Sequence, residues 1–333
     1  MDVSVVVAPR ERFSTVIRTV DELVATIPGD TRIIIVEGGS PRWVQRELKK
    51  RALSPRIDWV KVSHPPIPNQ ARNIGASLAD SRYVVFVDND MIFERGWLEA
   101  LVTRADSEGA DVVAPTICIG PPRATIVHHA GGDLIGESVE NGWRLKERHR
   151  MMDTPLTEMM ESDLAGETDV AEFHCVLVRR EFLDTLNGLD ERLVTREQMD
   201  LALHCKDLGA KVVHEKTSVV TYLARDSFRR DDLKYHLFRW SHSLASRSLD
   251  AFEDKWEVAV DRDRILGSWI GNHRRSAVSS AYSVAQNLLP EPIFLSFVKL
   301  LEGLYGTTRG TEEGLNSGRV PTKSAKKLVG LSN

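Results

Sequence analysis

Apolar positions in the first third of the chain follow two alternating rhythms. Val3 to Val7 is an apolar, β-branched run, which predicts a strand buried on both faces of a parallel sheet. From Thr15 to Ala25 the apolar residues Val16, Ile17, Val20, Leu23 and Val24 recur at helical spacing. Pro28-Gly29-Asp30 ends that helix, and Arg32 to Val36 predicts a second strand. A helix over Pro41 to Leu53, a strand over Trp59 to Val62, a helix over Asn69 to Ala79 and a strand over Tyr83 to Val87 continue the pattern. Gly96 to Ala105 resumes as helix. This alternation predicts an α/β fold, a Rossmann-like, mostly parallel sheet with helices on both faces. Ligands of such sheets bind beyond the carboxyl ends of the strands. That places Ala8 to Arg12, Glu37 to Ser40 and Asp88 to Asp90 at the expected ligand edge.

After Ala110 the rhythm changes. Short strands are expected at Asp111 to Ala114, Ala124 to His129, Glu172 to Val178 and Lys211 to Val213. Residues 136–168 are rich in charge and Met, show few strand signals, and read as a surface insertion. Beyond Tyr222 the chain turns helical, with one apolar stripe at Leu233, Leu237, Trp240 and Leu244. A second runs through Phe294, Phe297, Val298, Leu301 and Leu304. Both are expected to pack on the main domain or on a second copy, as in a homodimer. Residues 307–333, rich in Gly, Ser, Thr and Lys, read as a mobile tail. The expected division is a main domain over 1–225, a helical region over 226–306 and that tail.

Charge narrows the functional classes. The 44 Lys and Arg against 48 Asp and Glu leave a net of 44 − 48 = −4, too near neutral for condensation on nucleic acid or an anionic bilayer. No apolar run approaches the roughly 20 residues of a membrane span, and the N-terminus lacks a signal-peptide pattern. Cys118, Cys175 and Cys205 form neither a CxxC pair nor a disulfide framework. A soluble cytoplasmic protein is the expectation.

The sharpest chemical feature is Asp88-Asn89-Asp90, two carboxylates one residue apart just past a buried strand. Carboxylate oxygens are hard ligands suited to Mg²⁺ or Mn²⁺, which complete their shells with phosphate oxygens and water. Four further segments accompany it: Glu37-Gly38-Gly39-Ser40, Asn69-Gln70-Ala71-Arg72-Asn73, His128-His129-Ala130-Gly131-Gly132, and Phe173-His174-Cys175 with the later Asn187-Gly188-Leu189-Asp190-Glu191. In this order, over about residues 3–222, the chain resembles the family 2 glycosyltransferases of the GT-A fold.

The resemblance implies a metal-dependent transfer of sugar from a nucleoside-diphosphate sugar to an acceptor, with inversion. Residues 1–110 would form the nucleotide-sugar half and 111–225 the acceptor side. Asp88 and Asp90 match the family's metal-binding DxD, with Asp90 the more direct ligand of Mn²⁺ or Mg²⁺. Glu37 stands where the family has an Asp that bonds the nucleobase. Arg72 matches an arginine near base and diphosphate, and Pro9 falls on the same side. The acceptor, whether saccharide, lipid-linked glycan, peptide or small molecule, is not specified.

Two departures matter. The family's general-base Asp aligns with Gln198, and a neutral amide cannot take a proton at useful pH. Glu197 is the nearest substitute, while Asp200, three residues on, is expected to point elsewhere on the helix. The family's metal-touching His aligns with Tyr222, which would leave the ion one protein ligand short. Three readings stay open: Glu197 as base, an acceptor that is already nucleophilic, or a nucleotide-sugar-binding module with an eroded base. The ten histidines read as isolated, because His128 and His129 are adjacent and His236 and His242 miss the spacing of a helical zinc pair. A nucleotidyltransferase would want a glycine-rich loop after the first strand, which Ala8-Pro9-Arg10-Glu11-Arg12 lacks. In a haloacid-dehalogenase-type phosphatase the carboxylate motif would lie near the N-terminus.

Overall fold

The computed structural model describes residues 1–139, 142–164, 166–224 and 228–305. The stretch expected as a tail, 307–333, lies outside them. Strands β1 (Val3–Ala8), β2 (Arg32–Glu37), β3 (Ile57–Lys61) and β4 (Tyr83–Asp88) alternate with helices α1 (Val16–Thr26), α2 (Arg42–Arg51) and α3 (Pro68–Leu78). Then follow β5 (Met91–Phe93), α4 (Trp97–Glu108), β6 (Val112–Ile119) and β7 (Val127–His129). A hairpin of β8 (Gly132–Val139) and β9 (Gly142–His149) leads to α5 (Leu156–Glu161), β10 (Gly166–Glu167), β11 (Cys175–Arg179), α6 (Arg180–Thr185), α7 (Glu197–Leu208) and β12 (Val212–Tyr222). The C-terminal region holds α8 (Leu233–Arg239), α9 (His242–Trp256), a π-helical segment over Asp263–Ile270, α10 (Gly271–Ala281), α11 (Ser283–Leu288) and α12 (Glu291–Tyr305).

The main sheet runs β10-β12-β6-β11-β4-β1-β2-β3. Its β3-β2-β1-β4 half is parallel, and β11 enters antiparallel between β4 and β6. Successive strand residues face opposite layers. Val5, Val7, Ile33, Ile35, Val85 and Val87 pack against α1, α2 and α4 through Val20, Leu23, Leu48 and Trp97. Val6, Ile34, Val36, Val84 and Phe86 join Ala71 of α3, Phe182 of α6 and Leu201 of α7 on the other face. At Gly75 the helix α3 lies directly on the sheet: a Cβ there would sit 2.2 Å from Val6 Cγ1.

Residues 136–168 are not a strand-poor insertion. The β8–β9 hairpin supplies residues 136–139 and 142–149 of that stretch, held in register from Gly132 opposite His149 to Val139 opposite Gly142. Only Leu134 and Leu145 of this ribbon are buried in a core, and charged pairs such as Glu137 with Lys146 (2.5 Å) line its exposed side. Two buried leucines leave no period-two apolar pattern to read. The stripe at Leu233 to Leu244 also divides, because α8 ends at Arg239 and α9 begins at His242. Leu233 and Leu237 pack with Phe294, Val298 and Leu301, whereas Trp240 joins Leu203, Phe252 and Trp256. Among the described residues no helix is long and apolar enough to cross a membrane.

Candidate active site

Sheet register assembles the site. Ala8 at the end of β1 lies opposite Asp88 at the end of β4, so the loop Pro9–Arg12 falls beside Asp88-Asn89-Asp90. Cys175 pairs with Val87, and the Asp88 N–H donates to the His174 carbonyl at 3.0 Å. On the short strand that follows, Met91 pairs with Tyr222 of β12, and Tyr222 stacks on the His174 ring at 4.0 Å.

Asp88 is fully buried. Its Oδ2 accepts from Arg10 Nη1 at 3.0 Å and lies 3.0 Å from His174 Nδ1, and its Oδ1 accepts from Arg72 Nη2 at 3.2 Å. Burial alone would raise this carboxyl, but Arg10, His174 and Arg72 together hold it below the ordinary carboxylate range. Asp90 is equally buried and has one cation, Arg12 Nη2 at 3.1 Å from Oδ2. Burial raises its carboxyl, and the like charges of Asp88 and Glu11 add to that beyond what Arg12 offsets. Among the described residues Asp90 Oδ1 is buried without a hydrogen-bond partner.

Ligand atoms of Asp88, Asp90 and His174 lie within 4.8 Å of one another. An orphaned carboxylate oxygen on Asp90, whose carboxyl is pushed up by burial and acidic neighbours, and an imidazole beside it fit a divalent cation. Tyr222 itself offers no imidazole here; its ring stacks on His174, which precedes β11 and puts a nitrogen beside the two carboxylates. Nor are the histidines isolated: besides His174, both His128 and His149 approach Glu172 at 3.3 and 3.5 Å.

His128, His149, Glu172 and His174 open onto a cavity of about 620 Å³ whose wall also includes Arg10, Arg72, Glu197, Gln198 and Arg239, while Asp88 and Asp90 are fully buried. Arg72 is held by Asn69 Oδ1 at 2.9 Å, and its guanidinium lies 4.2 Å from the Phe173 ring centre. The turn Asn187 to Glu191 is tied to the same helix, since Asn73 Nδ2 donates to the Leu189 carbonyl and to Glu191, and Asn69 Nδ2 to the Asp190 carbonyl. Two segments far apart in sequence thus brace one another.

Of the three residues read at the base position, two reach the cavity. Glu197 lies 3.8 Å from Arg72 and 3.4 Å from Arg239, both of them buried. Burial lowers the pKa of each guanidinium, and each has Glu197 as a nearby carboxylate, with Asp88 a second and closer one for Arg72. Gln198 Nε2 donates to both oxygens of Glu147 at 3.0 and 2.9 Å, so the hairpin brings a carboxylate to the base position that the sequence leaves neutral. Asp200 faces α9, accepting from Trp256 Nε1 at 2.7 Å and pairing with Lys255 at 2.8 Å. Glu37 is buried, with Trp59 Nε1 donating to Oε1 at 3.1 Å and the Ser40 N–H to Oε2 at 3.4 Å. Together with Pro9 and Asn89 it lines a recess of about 10 Å³, room for one water. Arg10 and Arg12, unassigned in the sequence, sit in a loop whose place at the sheet edge marked it for inspection. Glu147 had no local signal at all.

The family model for glycosyl transferase family 2 matches residues 4–186. The chain is 28% identical over 219 residues to O-antigen biosynthesis protein RfbC of Myxococcus xanthus, covering 63% of this chain and 16% of that protein. It is 25% identical over 230 residues to pre-mycofactocin glycosyltransferase of Mycobacterium tuberculosis, covering 68% of this chain and 44% of the other. The crystal structure of GalNAc-T7 with UDP, GalNAc and Mn²⁺ superposes with a TM-score of 0.54 at 16% identity, covering 86% of this chain and 58% of that one. The chain belongs to glycosyl transferase family 2, and its fold is of the GT-A type. It spans less than half the length of the two sequence relatives.

Proposed function

We propose that this chain transfers a glycosyl group from a nucleoside-diphosphate sugar to an acceptor bound in the 620 Å³ cavity. The observation that carries the reading is the convergence of Asp88, Asp90 and His174 at the carboxyl edge of the sheet, beside Arg10 and Arg72. GalNAc-T7, which shares the fold, is bound to UDP and Mn²⁺ in its crystal structure. Asp88, Asp90 and His174 would hold Mn²⁺ or Mg²⁺, whose charge would neutralise the departing diphosphate. Arg10 and Arg72 supply further positive charge where negative charge develops on the leaving group. The family resemblance assigns Glu37 and Pro9 to the nucleobase; the recess they line has room for one water, so it must widen for a base to enter. Glu147 is the carboxylate assigned to the acceptor's proton, and Gln198 positions it. Glu197 keeps Arg72 and Arg239 in place. With Glu147 drawing the proton from a hydroxyl that attacks opposite the leaving group, the anomeric configuration inverts.

Calorimetry with UDP and GDP, with and without Mn²⁺, tests the donor site. Wild type should bind a nucleoside diphosphate only weakly without the ion, and Asp90→Asn should lose the Mn²⁺-linked gain. Unchanged metal-linked affinity in that variant would overturn the reading. The alternative drawn from Gln198, a binding module without turnover, requires donor binding but no transfer to any sugar, lipid or peptide acceptor.

A further inference from the structure

A second set of ligating side chains lines the same cavity. We propose that His128, His149 and Glu172 form a binding site for a transition-metal ion of the Zn²⁺ class, separate from the Asp88 and Asp90 pair. Three elements converge to build it: His128 from β7, His149 from the end of β9, and Glu172 from the segment entering β11.

Spacing is the first argument. His128 Nε2 lies 3.3 Å from Glu172 Oε2, and His149 Nε2 lies 3.5 Å from Glu172 Oε1. Ligands about 2.0–2.1 Å from a tetrahedral ion stand roughly 3.4 Å apart; each imidazole meets that spacing to one oxygen of Glu172, and one ligand atom from each of the three residues lies within 4.8 Å of the others. The second argument concerns tautomer. His149 Nδ1 lies 3.3 Å from the His128 carbonyl oxygen. With Nδ1–H donating there, Nε2 is turned toward Glu172, the outer-shell arrangement of metal-bound histidines; the carboxylates of Glu147 and Glu172 hold a proton on Nε2 until an ion displaces it. Third, Glu172 Oε2 is buried and faces two imidazole nitrogens, His128 Nε2 at 3.3 Å and His174 Nε2 at 3.7 Å. Glu147 Oε1, 3.4 Å from His149 Nε2, is a further oxygen within reach.

The two clusters differ in chemistry. Two imidazoles and one carboxylate suit Zn²⁺, whereas two carboxylates and one imidazole suit Mn²⁺ or Mg²⁺. They lie side by side, with His174 Nε2 3.7 Å from Glu172 Oε2. Because all three ligands line the cavity, a hydroxyl or carboxylate of a bound acceptor could occupy the remaining position. The site stands independently of the donor reading, since it uses neither Asp88 nor Asp90.

The test is Zn²⁺ binding by the untagged full chain, without nucleotide, measured by indicator competition. Wild type should take up one tightly held Zn²⁺. His149→Ala and Glu172→Gln should each lower that affinity by more than about 100-fold, since outer-shell changes alone cost 10–100-fold. Asp90→Asn should leave it unchanged. X-ray absorption of the Zn²⁺-loaded wild type needs no variant to fold: two imidazoles in the first shell support the site. A single imidazole with carboxylates, Zn²⁺ lost in Asp90→Asn, or equal affinity in the His149 and Glu172 variants would overturn it. The donor reading is scored separately, by Mn²⁺-linked nucleotide affinity in the His149 variant, which should remain.

Discussion

A carboxylate's neighbours decide what it can do. Glu197 and Glu147 both reach the cavity wall, but Glu197 lies between two buried guanidiniums that cannot give up their charge. Glu147 is held by a neutral amide and by His149, whose pKa, against burial, the carboxylates of Glu147 and Glu172 raise to about 9, with Arg196 approaching only to 3.9 Å. Glu147→Gln should therefore lower turnover by about 10²–10⁴-fold, the usual cost of a lost general base, with donor affinity nearly unchanged. Glu197→Gln should instead lower the melting temperature and weaken donor binding, because Arg72 loses a counter-charge. Steady-state kinetics and a thermal melt on both variants check this. Full turnover in Glu147→Gln would return the role to another group.

At the scale of elements, close packing makes two sites sensitive. Gly75 lets α3 rest on β1, and a Cβ only 2.2 Å from Val6 forces the helix to lift. Gly75→Ala should destabilise the chain by about 1–3 kcal/mol despite the better helix propensity of alanine. Denaturant unfolding measures it, and a neutral or stabilising result would show that α3 moves freely. His214 on β12 is buried, bonded through Nε2 to Thr116 Oγ1 of β6 at 3.0 Å, and burial, aided by Arg150, Arg104 and Lys216, pushes its pKa down to about 4. Its folded value lies below the unfolded one, so the unfolded chain binds the extra proton as pH falls. Stability from this group is present above about pH 6.5 and drains away toward pH 4, by roughly 3 kcal/mol in all. His214→Gln should flatten that acid limb, and urea midpoints across the range would show an unchanged slope if the assignment is wrong.

For the molecule as a whole, the C-terminal helices are part of the body rather than an appendage. Tyr235 and Phe238 enter the main core, Tyr235 donates its hydroxyl proton to the Pro9 and Pro66 carbonyls at 3.0 Å, and Arg239 faces Glu197. Ending the chain before Leu233 would expose that core and strip a cation from the cavity. The shortened chain should lack a cooperative melt; a sharp transition by circular dichroism would show that the first part folds alone.

Much of this was legible from sequence. The parallel half of the sheet was, because strands buried on both faces must be continuously apolar and their helices amphipathic, signals confined to a few neighbouring residues. Asp88 and Asp90 were legible for the same reason, lying in one short motif at a strand end. His174 as partner of Asp88 was not, since only the antiparallel entry of β11 beside β4 brings them together. The hairpin's polar strands hid both its own existence and Glu147, whose meeting with Gln198 spans 51 positions of chain. Local pattern determines which elements form and which residues carry chemistry. Tertiary structure alone decides which of those residues meet, because charge, burial and hydrogen bonding act through space and take no account of distance along the chain.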